Sequence, residues 1–537
     1  MSNHIAELSR RRLLIGAGVL AAGAAVAGAP AAGAAPSSSG TGAIDPDGSR
    51  DRGAARGPQQ QVNGLHLQFG HDASRQVVVS WHTLTPVSGA RAVIGRPDGE
   101  FLASAKATTR SYLDQQGGVT VYAHHARFDR LSPGTSYLYA ALHTGAAPQF
   151  GQFSTVPHGR TRVTFTSFGD QGTPTLGKLF QPPVGVTLPR IPWVNDNLGS
   201  PSAGDTTAGV EQVAPMFHLF NGDLCYANLA QNRVRTWFDF WENNSRSARN
   251  RPWMPSAGNH ENERGNGPIG YRAYQTYFEL PAADRQTDVT RGLWYSFTAG
   301  AVRVISLAND DVCLQDGGDS YVRDYSGGAQ KRWLERELAA ARADRDIDWI
   351  VMCMHQVAIS TANNFNGADL GVRQEWLPLF DRYGVDLVVC GHEHHYERSH
   401  PVRAHANTPT LTPTPVSTAT RSVDTSKGTV HMVLGGGGTS APSNQLLFTP
   451  PQCRVIVAVG DPDPTTGKRP PVYVQEQAPW SAVRDAANAY GFAGFEVDPG
   501  HRGGETTMKV TYYNMTGVGG GLEVFETFTL RRPRRDG

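Results

Sequence analysis

Residues 385–400 of this 537-residue chain read VDLVVCGHEHHYERSH. A mostly apolar run of strand-forming residues stops at Gly391, and four histidines follow within nine residues. A short buried strand that ends in polar side chains is typical of an α/β sheet, whose sites lie at the carboxyl ends of its strands. His392 and His394 are two residues apart, so in extended backbone both project to the same side and can reach neighbouring metal ions.

Four earlier segments repeat this pattern of an apolar strand followed by polar residues. They are Gly169-Asp170-Gln171-Gly172, Gly222-Asp223-Leu224-Cys225-Tyr226, Gly258-Asn259-His260-Glu261 and the lone His355 after IVMCM. A glycine precedes the key residue in four of the five clusters and is expected to let the backbone bend sharply there. Amphipathic helices alternate with these strands; in QKRWLERELAAARA, Trp333, Leu334 and Leu338 share one face. The alternation predicts an α/β domain.

From about Gln61 to Pro157 the pattern is different, because short alternating runs such as QVVVSWHT and SYLYAAL are separated by Gly, Pro and Asp. Regular short strands of this kind predict a β-sandwich. The segment LSPGTSYLY resembles the corresponding corner of fibronectin type III domains, and His124 and His125 are expected to be strand residues rather than ligands. Residues 171–213 are rich in Gly and Pro and show no clear period, which leaves open a surface insertion beside the site or a loose loop.

The first 35 residues have the order of an export signal. Arg10 and Arg11 precede a Gly- and Ala-rich apolar stretch and then small residues of the A-x-A type, and this order resembles a twin-arginine signal peptide. Residues 36–60 contain almost no large apolar side chains and are expected to form a disordered linker. The mature protein is therefore expected to be secreted or extracytoplasmic, exported by the twin-arginine route and without a membrane span.

The net charge limits the kinds of partner, and the cysteine count limits the possible disulfides. Lys plus Arg is 49 and Asp plus Glu is 48, which argues against a nucleic-acid binder that relies on bulk charge. Five cysteines leave at least one outside any intramolecular disulfide. Cys353 and Cys390 are expected to be buried thiols, whereas a disulfide between Cys313 and Cys453 is compatible with an exported protein. The oligomeric state is left open.

Taken in order, the motifs DxG, GDxxY, GNHE, a lone His after a strand and GHxH resemble those of the purple acid phosphatases, within the calcineurin-like metallophosphoesterase superfamily. The resemblance covers nearly the whole mature chain, and Tyr226 of GDxxY is its most discriminating mark. It implies a fibronectin III-like β-sandwich at residues 61–157. It also implies an α/β metallophosphoesterase domain at residues 161–532, in which two packed β-sheets are flanked by helices.

Carried over by position, the resemblance assigns the metal ligands. One ion would be bound by Asp170, Tyr226 and His394, the other by Asn259, His355 and His392, with Asp223 bridging both. The first group is rich in negatively charged oxygen and suits Fe(III), whereas the amide and imidazoles of the second suit a divalent ion such as Zn, Fe or Mn. Such a dinuclear centre would orient a hydroxide for in-line attack on the phosphorus of a small phosphate ester.

Three further residues are candidates for substrate contacts. His260 is expected to contact the phosphate or to protonate the leaving oxygen, with orientation of a neighbouring ligand as the alternative. Plant members of the family carry additional substrate histidines shortly after the lone metal histidine, where this chain has Asn363, Asn364 and Phe365. Asn363 or Asn364 would donate a hydrogen bond in their place, with a simple turn as the alternative, and Asn364 is taken as the candidate. His395 is expected at the mouth of the site, where a plain loop role is favoured over contact with the substrate.

The resemblance favours a secreted, metal-dependent acid phosphatase that hydrolyses phosphomonoesters. A phosphodiesterase or nucleotide hydrolase would use the same two metals, and the missing histidines keep this alternative open. A non-catalytic exported binding protein would carry a relict metal site, and intact residues at all seven ligand positions argue against it.

Overall fold

The computed structural model describes residues 60–174, 198–315, 318–464, 468–517 and 519–536. The predicted signal peptide and all of the predicted linker except Gln60 lie outside the described residues. Within the described ranges, no helix is both long and apolar enough to cross a membrane.

The described residues form six α-helices and 27 strands, numbered here in chain order. The helices are α1 Ser202–Val213, α2 Arg233–Ala248, α3 Arg272–Tyr277, α4 Ala329–Ala343, α5 Leu370–Glu375 and α6 Leu377–Tyr383. The strands are β1 Asn63–Phe69, β2 Val77–Thr83, β3 Arg91–Gly95, β4 Phe101–Lys106, β5 Thr108–Leu113, β6 Thr120–Phe128, β7 Ser136–Leu142, β8 Gln149–Ser154, β9 Val163–Phe168, β10 Phe217–Asn221, β11 Trp253–Ser256, β12 Tyr295–Ala299, β13 Val302–Ser306, β14 Trp349–Cys353, β15 Ala368–Asp369, β16 Leu387–Cys390, β17 Tyr396–Ser399, β18 Val402–His405, β19 Pro413–Pro415, β20 Ser422–Asp424, β21 Val430–Leu434, β22 Gln452–Val459, β23 Pro471–Gln477, β24 Ser481–Asp485, β25 Gly491–Asp498, β26 Glu505–Met515 and β27 Leu522–Pro533.

The first eight strands form a sandwich of two four-stranded antiparallel sheets. Their strand orders are β1-β2-β6-β5 and β4-β3-β7-β8. Trp81 and Tyr139 are buried in its core, because alternate side chains of each strand face the other sheet. At the predicted corner, the hydroxyl of Tyr137 accepts a hydrogen bond of 2.8 Å from the backbone N–H of Ser132, which closes the turn before β7. The predicted β-sandwich is confirmed.

The second domain contains two seven-stranded mixed sheets. One has the order β11-β10-β9-β25-β26-β27-β20 and the other the order β12-β13-β14-β16-β21-β17-β24. Strands β9, β10 and β11 are parallel, as are β13, β14, β16 and β21. The sheets meet where these strands end, since Nδ1–H of His355 donates to the Asn221 carbonyl at 2.8 Å. The predicted α/β domain with two packed sheets is confirmed, and α4 buries Trp333, Leu334 and Leu338 as its period predicts.

Two expectations about this domain are corrected. Residues 202–213, expected as part of a surface insertion or loose loop, form helix α1. Its buried face is built from Ala203, Thr206, Thr207, Gly209 and Val210, so it shows little of the apolar periodicity that identifies a helix. All five cysteines lie in the described ranges as buried free thiols, so the disulfide considered between Cys313 and Cys453 does not form.

Histidines from the sandwich pack against helices of the second domain. The ring of His66 stacks on Trp241 of α2 with a centroid distance of 3.9 Å. Its Nδ1 lies 2.5 Å from the Gly64 carbonyl oxygen and its Nε2 lies 3.0 Å from the Tyr277 carbonyl oxygen. On β6, Nε2 of His125 donates to the Thr276 carbonyl at 3.0 Å. Burial lowers the pKa of His66 to about 4, because the buried ring loses the hydration that favours its charged form. These neutral histidines join the two domains.

A buried carboxylate holds the sheets together at the amino-terminal end of β16. Asp386 accepts hydrogen bonds of 2.6 and 2.7 Å from Arg532 of β27, of 3.0 Å from Arg342 of α4, and of 2.9 Å from the N–H of Ile350 in β14. The Asp386 side chain is fully buried, so its charge is balanced by these donors rather than by water. The carboxyl ends of the parallel strands, at the other end of the sheets, remain available for the functional site.

Candidate metal centre

The seven predicted ligands lie where parallel strands of the two sheets end. Strands β9, β10, β11, β14 and β16 each place a polar residue two or three positions after their last residue; these residues are Asp170, Asp223, Asn259, His355 and His392. Tyr226 and His394 follow in the loops after β10 and β16. All seven side chains are buried. The structure therefore brings all seven positions to one edge of the domain, as expected for parallel strands.

The first ligand cluster is a triangle of donor atoms. Oδ1 of Asp170 lies 3.2 Å from the hydroxyl of Tyr226 and 3.2 Å from Nε2 of His394, and the hydroxyl and Nε2 are 3.1 Å apart. Nδ1 of His394 lies 2.7 Å from the carbonyl oxygen of Ala441, which only accepts, so Nδ1 carries a proton. In the neutral imidazole, Nε2 then offers its lone pair to the centre of the triangle.

The second cluster has the same spacing. Nε2 of His355 lies 2.9 Å from Oδ1 of Asn259 and 3.0 Å from Oδ2 of Asp223. Nδ1 of His392 lies 3.1 Å from the same Asn259 oxygen and 3.2 Å from Nε2 of His355. Nε2–H of His392 donates to Oε1 of Gln315 at 2.8 Å, so its Nδ1 faces inward. The inward-facing atoms are all lone-pair donors.

Both clusters fit a cation. Neighbouring ligands of an ion with bonds of about 2.1 Å are about 3.0 Å apart in octahedral geometry, close to the distances found here. Burial lowers the pKa of His355, but the carboxylates of Asp223 and Asp170 outweigh burial and raise it to about 10. The site thus favours a positive charge where His355 faces Asp223. The first cluster combines a carboxylate and a phenol with one imidazole, and the second combines a carboxylate and an amide oxygen with two imidazoles, so the second is richer in nitrogen donors.

Asp223 belongs to the second cluster and acts on the first through its charge. Its Oδ2 contacts His355 in the second cluster. In the first cluster, burial raises the pKa of Tyr226 far above its usual value, and the charges of Asp170 and Asp223 raise it further. A phenolate at Tyr226 therefore requires a cation beside it, and the role of Asp223 as a bridge between two ions stays a prediction.

The left-handed backbone at the strand ends is mostly adopted by the ligands themselves rather than by the glycines before them. Asp170, Asp223, Tyr226 and His392 have φ angles of 59°, 51°, 55° and 71°. For residues with a Cβ this left-handed conformation costs about 1–2 kcal/mol each. Four of the seven predicted ligands are thus held in strained backbone, which is typical of functional sites whose surroundings determine their conformation.

The glycines mainly provide space. A Cβ at Gly391 would overlap Oδ2 of Asp170, and a Cβ at Gly258 would overlap Oδ1 of Asp223. Of the four glycines that precede predicted ligands, only Gly222 has a positive φ, at 76°. The expectation that these glycines bend the backbone holds for that position; elsewhere they allow the ligands of neighbouring strands to approach.

Glu261 of the GNHE motif holds the turn that carries Asp223. Its carboxylate accepts backbone N–H bonds of 2.9 Å from Asp223, 2.8 Å from Leu224 and 2.8 Å from Gly258. Burial raises the pKa of Glu261, while the N–H donors act in the opposite direction. The side chain joins the loops after β10 and β11, so it fixes two ligand-bearing segments relative to one another.

The side chain of His260 lies beside the metal clusters and is 21% exposed. Its Nε2 lies 4.0 Å from Oδ2 of Asp223, and its Nδ1 lies 2.9 Å from Oδ1 of Asn228. The Asn228 amide is oriented by Asp319, which accepts from Nδ2 at 3.3 Å and from Arg233 at 2.8 Å. Because Asp319 takes the amide N–H, Asn228 presents its oxygen to His260, and Nδ1 of His260 must carry the proton. Nε2 is then directed to the site.

The two remaining substrate candidates are placed differently. Asn364 is exposed on the loop after β14, with a φ of 57°, and stays a prediction. The expectation that His395 lies at the mouth of the site is wrong, because its side chain is fully buried, with Nδ1 bonded to the hydroxyl of Ser443 at 2.9 Å. Phe365, which follows Asn364 in the chain, is half-buried and contacts the predicted ligand His394, with the two ring centroids 4.9 Å apart.

Comparison with known proteins agrees with this geometry. Residues 62–161 match the purple acid phosphatase N-terminal domain, and residues 202–396 match the calcineurin-like phosphoesterase family. An uncharacterized protein of Mycobacterium tuberculosis (strain H37Rv) is 59% identical over 473 residues, 88% of each chain. The purple acid phosphatase of Glycine max is 27% identical over 389 residues, 71% of this chain and 73% of its own.

The fold has a counterpart among solved structures. The purple acid phosphatase PPD1 of yellow lupin superposes with a TM-score of 0.61 at 19% identity, covering 88% of this chain and 75% of that one. A dinuclear metal centre is expected for this family, and the two ligand clusters fit one. The chain is a phosphoesterase that belongs to the purple acid phosphatase-like members of the calcineurin-like metallophosphoesterases.

Proposed function

We propose that this protein is a secreted acid phosphatase that hydrolyses small phosphomonoesters at a dinuclear metal centre. The observation that carries the proposal is the pair of ligand clusters with donor atoms 2.9–3.2 Å apart, one of which contains Asp223. Family membership supports a phosphate ester as the substrate. The N-terminal Arg10-Arg11 signal supports export by the twin-arginine route.

Asp170, Tyr226 and His394 would hold Fe(III), because a carboxylate and a phenolate stabilise a trivalent ion. Asn259, His355 and His392 would hold a divalent Zn, Fe or Mn ion. When bound, the two ions neutralise phosphate charge and make water acidic enough to act as nucleophile at acid pH.

The residues around the ions have separate tasks. Asp223 would set the distance between the two ions, and Glu261 holds the loop that carries it. His260 keeps Nδ1–H on Asn228 and directs Nε2 to the substrate side. With Nε2 protonated as well, the imidazolium would bond a phosphate oxygen or give that proton to the leaving oxygen. Phe365 lies against His394 and provides an apolar surface at the site.

A phosphodiesterase is the second candidate function, favoured by one feature. The loop that carries substrate histidines in plant relatives has Asn363, Asn364 and Phe365 here, so the pocket offers an apolar ring where those enzymes offer imidazoles. A second ester group on the substrate would fit such a surface better than a second phosphate oxygen does.

The decisive experiment compares 4-nitrophenyl phosphate with bis(4-nitrophenyl) phosphate at pH 5 and pH 7.5, using iron- and zinc-loaded protein. We expect the monoester at pH 5 to give the higher kcat/KM. Asp223→Asn should lose both activities, whereas Asp129→Asn, an exposed carboxylate on the sandwich, should retain them. Turnover by Asp223→Asn at the wild-type rate would exclude the two-metal site, and a preference for the diester would favour the second function.

A visible absorption spectrum tests the assignment of Fe(III) to the cluster that contains Tyr226. Iron-loaded wild-type protein should absorb visible light through Tyr226, and Tyr226→Phe should lose this band while still binding iron. A colourless wild-type protein with full iron occupancy would show that the phenol does not bind the ferric ion.

A further inference from the structure

The sandwich contacts the second domain through the loop that follows β5. Asp114, the first residue after β5, is fully buried, and its Oδ1 accepts a hydrogen bond of 3.0 Å from Nδ2 of Asn266. The backbone N–H of Gln115 donates to Oδ1 of the same asparagine at 3.0 Å. Nε2 of Gln116 donates to the carbonyls of residues 230 and 231, at 2.9 and 2.8 Å. This loop therefore holds the two chain segments that follow the GNHE and GDxxY motifs.

Arg233, the first residue of α2, extends this contact toward the site, and its side chain is only 5% exposed. Nη1 lies 3.9 Å from Oδ1 of Asp114 and donates to the Arg264 carbonyl at 2.8 Å. Nη2 donates to Oδ2 of Asp319 at 2.8 Å. A guanidinium is planar and presents its N–H donors in a rigid fork, so these contacts hold Asp319 in a fixed position relative to Asp114.

Asp319 completes the connection to His260. Its Oδ1 accepts from Nδ2 of Asn228 at 3.3 Å, and Oδ1 of Asn228 lies 2.9 Å from Nδ1 of His260. If the amide turned over, its NH₂ group would face the ring, Nδ1 would have to accept, and Nε2 would carry the proton of the neutral imidazole. The carboxylate of Asp319 prevents this, and Arg233 holds that carboxylate. Because the Asp319 side chain is 19% exposed, water would compete for it without Arg233.

We propose that Asp114 of the sandwich and Arg233 are positioning residues for His260. They act through Asp319 and Asn228, and neither contacts the substrate. This inference rests on the proposed phosphatase function. It gives the sandwich, which contributes none of the predicted metal ligands, a part in hydrolysis, because the sandwich keeps Nε2 of His260 directed to the substrate side.

A double-mutant cycle tests whether Arg233 acts through Asn228. The measurement is kcat for glycerol 2-phosphate with the metal-loaded, full-length protein. Arg233→Met should lower kcat about fivefold, as for loss of one hydrogen bond, because Asp319 is then no longer held. In the Asn228→Leu background the same replacement should have no further effect, because the contact with His260 is already lost.

Two further variants complete the experiment. Arg235→Met is the matched control on the same helix, since Arg235 is 41% exposed and pairs with Asp239, and it should leave kcat unchanged. Asp114→Asn tests the sandwich end of the network with less risk to folding, because it keeps the shape of the side chain and the acceptor for Asn266. Asp114→Asn should lower kcat in the wild-type background and leave the kcat of Asn228→Leu unchanged.

The ring nitrogens of His260 provide a readout that needs no turnover. In zinc-loaded protein with isotope-labelled histidine, and with His260 assigned by comparison with His260→Ala, nuclear magnetic resonance should show the proton of the neutral ring on Nδ1. Signals of both tautomers should appear in Arg233→Met and in Asp114→Asn.

The outcomes separate this inference from the function beneath it. Losses in kcat that multiply with that of Asn228→Leu, or an unchanged kcat in both positioning variants, would refute the role of Asp114 and Arg233 while phosphatase activity stands. If the wild-type protein does not hydrolyse glycerol 2-phosphate, the proposed function fails. The proton position on His260 then still decides the inference, and an identical position in wild type and both variants refutes it.

Discussion

Replacement of Asn228 by Leu tests whether the carboxamide directs His260. Asn228 is 8% exposed, and its oxygen is 2.9 Å from Nδ1 of His260. Loss of one neutral hydrogen bond costs about 1 kcal/mol, which corresponds to about fivefold in rate. If the ring also turns away, the contribution of a general acid, about 100-fold or more, is lost as well. We therefore expect kcat for an alkyl phosphate to fall between about fivefold and 100-fold.

The assay compares two substrates that differ in their need for a proton. Glycerol 2-phosphate has an alkoxide leaving group that must be protonated, whereas 4-nitrophenolate leaves without a proton. With Asn228→Leu, kcat for 4-nitrophenyl phosphate should fall less than about threefold, within the cost of the lost hydrogen bond. Asn232→Ala is the matched control, because it removes the 3.0 Å bond to the Arg235 N–H at the start of α2, at a cost of about 1 kcal/mol, without contacting His260. Equal losses on both substrates would refute the role of Asn228 in directing the proton donor.

Two predictions concern stability. Asp386→Ala should lower the free energy of unfolding by about 3–5 kcal/mol in a denaturant titration, because it leaves Arg532 buried without its carboxylate. The control is Arg531→Ala, on the exposed side of the same strand as Arg532, which should change the free energy of unfolding by less than about 0.5 kcal/mol. Similar losses in the two variants would contradict the role of Asp386. The second uses His66, whose pKa is lowered from 6.5 to about 4, so the unfolded chain binds the proton more tightly and stability falls as the pH drops from 6.5 to 4. Between pH 7.5 and 4.5 this histidine should account for about 2.5 kcal/mol of lost stability. His66→Phe should therefore have a flatter dependence of unfolding free energy on pH; an unchanged slope would show that His66 is not neutral in the folded protein.

The metal ligands could be predicted from the sequence because each follows a recognisable strand. Apolar runs ending at Phe168, Asn221 and Cys390 predict buried parallel strands, and the carboxyl ends of such strands share one edge of a sheet. The resemblance of the motifs then sorted the ligands into two groups. The regular alternation of short strands was also sufficient to predict the β-sandwich.

The groups that orient the ligands could not be predicted from the sequence in this way. Gln315 and Asn228 reach the site from short irregular segments, where no period indicates which side chains face inward. His395 was misplaced for a related reason, since a one-residue difference in a loop separates the ligand His394 from a buried neighbour. Helix α1 was missed because Thr and Gly form much of its buried face.

The strained backbone at the ligands bears on how this protein evolves. At Asp170, Asp223 and His392, the left-handed conformation would be relaxed by glycine or asparagine, which adopt it more readily. Such replacements would abolish the metal centre and at the same time relieve about 1–2 kcal/mol of backbone strain at each position. A lineage released from selection for catalysis would therefore lose these residues early, driven by stability as well as by drift. This chain carries a ligand side chain at each of these strained positions, so the surrounding contacts bear the cost of a backbone that catalysis requires.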